Sequence, residues 1–381
     1  MQNLSFMNPG VYSDRQLREL IKEGVIIARK SMYNSSDTLF DKAQIQPASV
    51  DLRLGDGTCS EKENENLYLH CLKSSSLPPK GNLEEYFSKR NKYFVPFIAT
   101  KIYLHKNEVY ASPLLEELNL PDYLMAKANP KSTSGRIDLH VRCLTEAGSP
   151  FDTVPAGYHG KLWLEMFPRS FDIEITERDR FSQIRIMDAE TQSLSPEHLI
   201  ELHEKEGILF NKKSKLTTKD FEKHLIGNFI TLGIGLRTKN KGYIAKKNTG
   251  SVHTYKKYHN EDYFDSIKLD NVDEIIINPG DFCILSSYER VNIPINVCAE
   301  MVDIDTGLGE FRSHYAGFFD PGFNANATLE VRNLGAPFSL FHKQFVAGLK
   351  FYPMKSIPDN FYGFANNYQG QKGPKLAKYF F

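Results

Sequence analysis

The chain has 381 residues, 47 Lys+Arg against 47 Asp+Glu and therefore no formal net charge. Its length suffices for two domains of ordinary size, and the charge balance argues against a general nucleic-acid or membrane-surface binder, which needs a basic bias. Five cysteines (Cys59, Cys71, Cys143, Cys283, Cys298) show no CxxC spacing and there is no run of about 18 apolar residues. With no signal-peptide plan at the N-terminus, the expectation is a cytoplasmic protein with reduced thiols, and no membrane partner.

Ser13-Asp14-Arg15-Gln16 has the form of a capping box and predicts a helix to about Glu23, with Leu17, Leu20 and Ile21 on one face and Gly24 as its stop. It is read as a cover without chemistry. Residues 44–55 (QIQPASVDLRLG) predict an approach, a turn and a strand in which Val50, Leu52 and Leu54 alternate with Asp51 and Arg53. Asp51 and Arg53 share a face and can pair with each other. Residues 61–92 are polar and charged, and predict a long surface excursion. Strand patterns follow at 93–99 and 101–105, and again at 171–175 and 181–187. Many short strands and few helical patterns predict an all-β barrel or sandwich.

Between these strands lies the stretch with the most chemistry, residues 131–165. Lys131-Ser132-Thr133-Ser134-Gly135-Arg136 is a hydroxyl-rich turn closed by an arginine, a composition that can hold phosphate oxygens. Gly157-Tyr158-His159-Gly160 makes a bend. The following strand places Trp163 and Glu165 on one face, with Leu162, Leu164 and Met166 on the other. A carboxylate beside a tryptophan is poorly solvated, which raises its pKa towards that of a general base. On composition alone, a plain hairpin with an edge glutamate in water is the favoured reading.

Residues 195–206 (SPEHLIELHEKE) predict a helix capped by Ser195 with Pro196 in its first turn. The polar run 211–220 follows it, and together they are read as the connection between two lobes. Beyond it the chain repeats itself. LNLPDYLMAK (118–127) matches VNIPINVCAE (291–300), and Gly157 precedes Glu165 by eight residues as Gly322 precedes Glu330. The copies differ: the second lobe has TLGIGLRT for SVDLRLG and DIDTGLGEFR for KSTSGR, yet it keeps FFDPGF (318–323) ahead of Glu330. The tail, ANNYQGQKGPKLAKYF (365–380), occurs once.

The QIQPASVDLRLG, KSTSGR and GYHGKLWLE motifs, in that order, resemble those of the dCTP deaminase and dUTPase superfamily, in its long two-lobed form. The resemblance implies two tandem β-clip lobes: residues 1–190, a helical linker at 191–220, and 221–381 with a tail that closes over nucleotide. It implies Ser132, Ser134 and Arg136 as catalytic support and Glu165 as the base, with Glu330 as its counterpart in the second lobe. Nucleotide binding falls to Lys131, Thr133, Gly135, Tyr158, Trp163, Leu164 and Asp320, together with Tyr368, Gln371, Lys372 and Lys375 of the tail. The implied substrate is dCTP with its Mg²⁺, dTTP is a feedback candidate, and the assembly is a homotrimer in which like lobes meet like. A full site would then come from first lobes alone, because only they have both turn and glutamate.

One glutamate can take a proton from water and return it to the ring nitrogen and the departing amine. A zinc deaminase needs a His-x-Glu and a Cys-x-x-Cys element, and the cysteine pair is missing here. The rival activity, cleavage of dUTP, needs an aspartate three residues before the hairpin aromatic. Pro155 stands there before Tyr158, but Asp320 stands there before Phe323. Deamination followed by cleavage, and a non-catalytic nucleotide sensor, are the alternatives.

Overall fold

The computed structural model describes residues 9–28, 40, 42–55, 58–59, 67–96, 101–176, 179–302, 311–313, 317–362 and 370–381. The chain is mainly β. In the first lobe, Thr58–Cys59, Leu67–Leu72, Val109–Asn119, His159–Pro168 and Leu139–Thr145 lie side by side in that order, joined by Ile26–Ala28 and Asn91–Pro96. A second sheet orders Thr153–Val154, Leu124–Pro130, Ser182–Asp188 and Val50–Leu52. Leu114, Leu162 and Leu164 of the one sheet meet Leu124, Ala126 and Ile184 of the other in one core, as alternating strands require. The second lobe repeats the plan around the paired strands Phe282–Asn292 and Asn324–Asn333, with a five-stranded sheet built on Val297–Val302 and Phe345–Pro353.

The internal repeat read in the sequence reappears in the hydrogen bonds. Leu120 N–H donates to Tyr158 O (2.9 Å) and Ile293 N–H to Phe323 O (2.8 Å); Leu124 N–H donates to Pro121 O and Val297 N–H to Pro294 O. Val154 pairs with Ala126 as Phe319 pairs with Ala299, and Glu165 stands opposite Ala111 as Glu330 stands opposite Ile284. Gly157 and Gly322 both turn their hairpins at positive φ (67° and 89°), a conformation that favours glycine.

The lobes share more than a connection. Val252–His253 of the second lobe adds to Ile173–Thr176 of the first as a parallel strand. Arg332 forks onto buried Asp138, with Nε 3.2 Å from Oδ1. Arg185, fully buried, sits 3.0 Å from Glu300, which also accepts from Asn129. The chain end packs Leu376, Ala377, Tyr379 and Phe380 into the first-lobe core, together with Tyr263 and Phe264.

The helix expected after Ser13 is present, while other local expectations give way to tertiary contacts. The helix Asp14–Lys22 follows Ser13, whose N–H donates to Gln16 Oε1 (3.1 Å), and Asp14 accepts the N–H of Asp359 (2.8 Å), tying the helix to the second lobe. Asp51 and Arg53 do not pair with each other: Asp51 holds Lys131, and Arg53 meets buried Glu116 at 2.7 Å. Described residues of the 61–92 excursion form the strand Leu67–Leu72 and the helix Leu83–Arg90, which buries Leu83 and Phe87. The polar run at 211–220 carries Ser214–Lys215 and the helix Thr218–Glu222, and the adjoining Leu209–Asn211 strand pairs with Val291 and Arg290 inside the second-lobe sheet. Segments too polar to announce a core face were stabilised by the sheets they join.

Candidate active site

A cleft of about 460 Å³ opens where the lobes meet. Its first-lobe wall is the turn after the strand Leu124–Pro130, a single helical turn Ser132–Gly135 closed by Arg136. Its second-lobe wall is the hairpin Phe318–Phe323 and the strand Asn324–Asn333, on which Thr328 and Glu330 share a face. Glu330 is 2% exposed, and its carboxylate lies against Gly135: an added Cβ there would stand 2.6 Å from Cδ. The turn of one lobe and the glutamate of the other are brought together within one chain.

The turn is held firmly. Ser134 Oγ donates to Lys131 O (2.6 Å) and Phe181 O (3.1 Å), so this hydroxyl is turned into the protein and fixes the backbone. Ser132, Thr133, Lys131 and Arg136 line the cleft. Lys131 is anchored by Asp51, with Arg180 4.0 Å from the same carboxylate. Arg136 is buried and donates through Nη1 to Lys375 O (2.5 Å), so the tail clamps the arginine by its backbone. On the other wall, Asp320 accepts the Ala48 N–H (3.3 Å), and burial followed by the nearby charge of Asp51 pushes its carboxyl up to about 7. Gln371 Nε2 donates to Asn326 O and to Thr328 Oγ1, both at 2.8 Å.

The first-lobe hairpin is placed elsewhere. Glu165 accepts from Ser75 Oγ (2.7 Å), with Arg142 nearby, and burial raises its pKa above the usual carboxylate range. Its surroundings come from the 61–92 excursion: Phe87 lies 5.2 Å from Trp163 between ring centroids, in a cluster with Leu72, Leu83 and Leu144. Trp163 and Glu165 do share a face, as the alternation implied, but the chain's own helix covers it. Leu164 is in the main first-lobe core, and Tyr158 OH donates to Lys161 O (2.5 Å) within its own hairpin. None of these four lines the cleft. Where the expectation drew both turn and glutamate from first lobes, within this chain the first-lobe turn lies against the second-lobe carboxylate.

In the tail, Gln371 reaches the cleft, Lys375 offers its carbonyl and an exposed side chain, Lys372 lines a different cavity, and Tyr368 lies outside the described residues. Sequence reasoning missed Lys378, Gln183, Thr328 and Phe319 of the cleft lining. Thr328 was findable, two residues before Glu330 on the same strand face. Gln183, whose Oε1 accepts from Ser49 Oγ (3.0 Å), carried no local signal. Among the described residues no three His, Cys, Asp or Glu side chains gather as a metal site, and no helix is long and apolar enough to cross a membrane.

Fold and cleft define a double-lobed β protein that joins a hydroxyl-rich turn to a buried carboxylate. The family model of the 2′-deoxycytidine 5′-triphosphate deaminase N-terminal domain matches residues 8–190, and that of its C-terminal domain residues 198–380. The solved structure of 2′-deoxycytidine 5′-triphosphate deaminase from Agrobacterium tumefaciens is 32% identical, with TM-score 0.79 over 92% of this chain and 99% of that one. This chain belongs to the dCTP deaminase family. It is 35% identical over 124 residues to the "dCTP deaminase, dUMP-forming" of Methanosphaera stadtmanae, covering 31% of this chain and 63% of that relative. It is 32% identical over 139 residues to the protein of the same description from Halobacterium salinarum, covering 35% and 71%.

Proposed function

We propose that this chain hydrolyses dCTP to dUTP and ammonia, with Glu330 as the base that becomes the acid. The observation that carries this reading is the Glu330 carboxylate resting on the Lys131–Arg136 turn. Water adds to the ring carbon bearing the amine while Glu330 takes its proton. The protonated carboxyl then delivers that proton to the ring nitrogen, takes the proton of the added hydroxyl and passes it to the amine, so that ammonia departs as the carbonyl forms. Ser132 and Arg136 orient the water, and the clamp from Lys375 O keeps the guanidinium in place. Lys131, Thr133 and Lys378 face the triphosphate, whose Mg²⁺ enters as part of the substrate. Phe319 and Phe323 wall the ring, and Asp320 faces the sugar.

A second reading, deamination followed by cleavage to dUMP, is favoured by Asp320: it stands three residues before Phe323, is buried in the cleft, and has a pKa near neutrality, suited to activating water. The dUMP-forming descriptions of relatives point the same way. Products from dCTP, CTP and dUTP distinguish the readings. Ammonia and dUTP from dCTP, with dUTP itself untouched, is the expected result. Pyrophosphate and dUMP would favour the second reading, and absence of ammonia would remove both. Activity that vanishes with a zinc chelator and returns with zinc would refute the metal-free chemistry proposed for the base.

A further inference from the structure

A larger cavity, about 710 Å³, lies on the second lobe beyond the cleft. Its origin is a bulge: pairing between Phe282–Asn292 and Asn324–Asn333 breaks between Ser286 and Arg290, which bends one strand away from the other. Asn326 Nδ2 donates to the carbonyls this frees, Ser287 O (3.0 Å) and Glu289 O (3.1 Å). The cavity is lined by Lys212, Lys213, Arg237, Arg290 and Lys372, and no Asp or Glu is among its described lining. For a chain of zero net charge that is a strong local excess. Arg237 pairs with Asp273 outside the lining, whereas Arg290 is held by Asn324 Oδ1 and by the Phe210 ring, 4.1 Å from its guanidinium carbon. Arg290 is thus fixed in direction by neutral groups, with its charge left for a ligand.

We propose that this cavity is a second anion site, separate from the catalytic cleft, that takes a short polyphosphate chain. The volume falls within the ~300–1,000 Å³ typical of small-molecule sites. Lysine ammoniums and an oriented guanidinium are the groups that recognise phosphate oxygens. The site adjoins the cleft along one strand face, where Asn324, Asn326, Thr328 and Glu330 follow one another. The first two line the cavity, the last two line the cleft, and Gln371 lines both while bonding to Asn326 and Thr328. A ligand seated against Asn326 therefore touches the strap that crosses the cleft wall, and its occupancy is expected to change KM for the substrate.

The test is calorimetric titration of the full chain with inorganic tripolyphosphate, which reads binding without turnover and so stands apart from the outcome of the deaminase assay. Two sites per chain are expected in the wild type. Lys213→Gln/Arg290→Gln should weaken one of them at least ~10-fold, and Lys131→Gln/Arg136→Gln should weaken the other. Thermal unfolding of each variant checks its fold, and Lys212→Gln/Arg237→Gln, on the exposed side of the cavity, repeats the test if Arg290 proves necessary for folding. ATP, a purine nucleotide, separates the sources: tighter binding than tripolyphosphate at this site assigns a nucleotide, and equal or weaker binding assigns the inorganic chain. A single site per chain that is untouched by Lys213→Gln/Arg290→Gln, and by Lys212→Gln/Arg237→Gln, overturns the proposal.

Discussion

Glu330 of the second lobe rests its carboxylate on Gly135 of the first, where an added methyl would stand 2.6 Å from Cδ and 2.7 Å from Oε1. Contacts that short are not tolerated, so glycine is what allows the carboxylate to sit on the turn. Gly135→Ala should displace Glu330 by a fraction of an ångström to about one ångström and lower turnover on the order of 10²-fold, with the fold retained. Steady-state kinetics on dCTP, beside a thermal unfolding curve, check this. Turnover within twofold of wild type would mean that the contact has no part in the chemistry.

The two glutamates that the repeat makes equivalent should differ in consequence. Glu330→Gln removes the proposed base and should cost ~10²–10⁴-fold in turnover. Glu165→Gln should leave turnover within a few fold, because Ser75 and the Phe87–Trp163 cluster enclose that carboxylate. A large loss on Glu165→Gln in a folded protein, with Glu330→Gln active, would return the site to the first-lobe hairpin.

Stability should respond to pH through Glu289. Its first-lobe counterpart Glu116 has Arg53 and Gln44 as partners, but Glu289 accepts the Gly233 N–H (2.9 Å), and burial lifts its pKa from 4.5 to about 7. The folded state therefore keeps a proton that the unfolded chain gives up. The associated stability is fully present below pH 4.5 and is lost as pH rises through about 7, on the order of 3 kcal/mol in all. Glu289→Gln, neutral at every pH, should match the wild type at pH 5 and exceed its unfolding free energy at pH 8. Parallel pH profiles for the two proteins would rule this out.

The lobes should come apart energetically at Arg332. This side chain reaches Asp138, Ser170 Oγ (2.9 Å) and Gly280 O (2.9 Å), and Asp138 is fully buried. Arg332→Ala leaves that carboxylate without its cation and should cost about 3–5 kcal/mol of stability. Arg332→Ala combined with Asp138→Asn should recover part of the loss, since the stranded charge is then removed and asparagine tolerates the positive φ (55°) of this position. Denaturant unfolding of the two variants measures both; an undiminished loss in the double variant would point to packing instead.

The order QIQPASVDLRLG, KSTSGR, GYHGKLWLE and the repeat around Pro121 and Pro294 were enough to read the family and a mainly β chain, because strand alternation and hairpin glycines are local properties. Alternation likewise placed Trp163 with Glu165, and burial raised the Glu165 pKa as a neighbouring tryptophan suggested. Which glutamate meets the turn was not local information. Residues 72–90 carry no clear apolar face, yet Leu83 and Phe87 pack with Trp163 and Ser75 bonds to Glu165. Gly135 and Glu330 lie in different lobes, and only the packing of one lobe against the other, through Arg332–Asp138, Arg185–Glu300 and the buried chain end, brings them together. Such contacts depend on shape and charge matched across the whole molecule, which spacing along the chain does not encode.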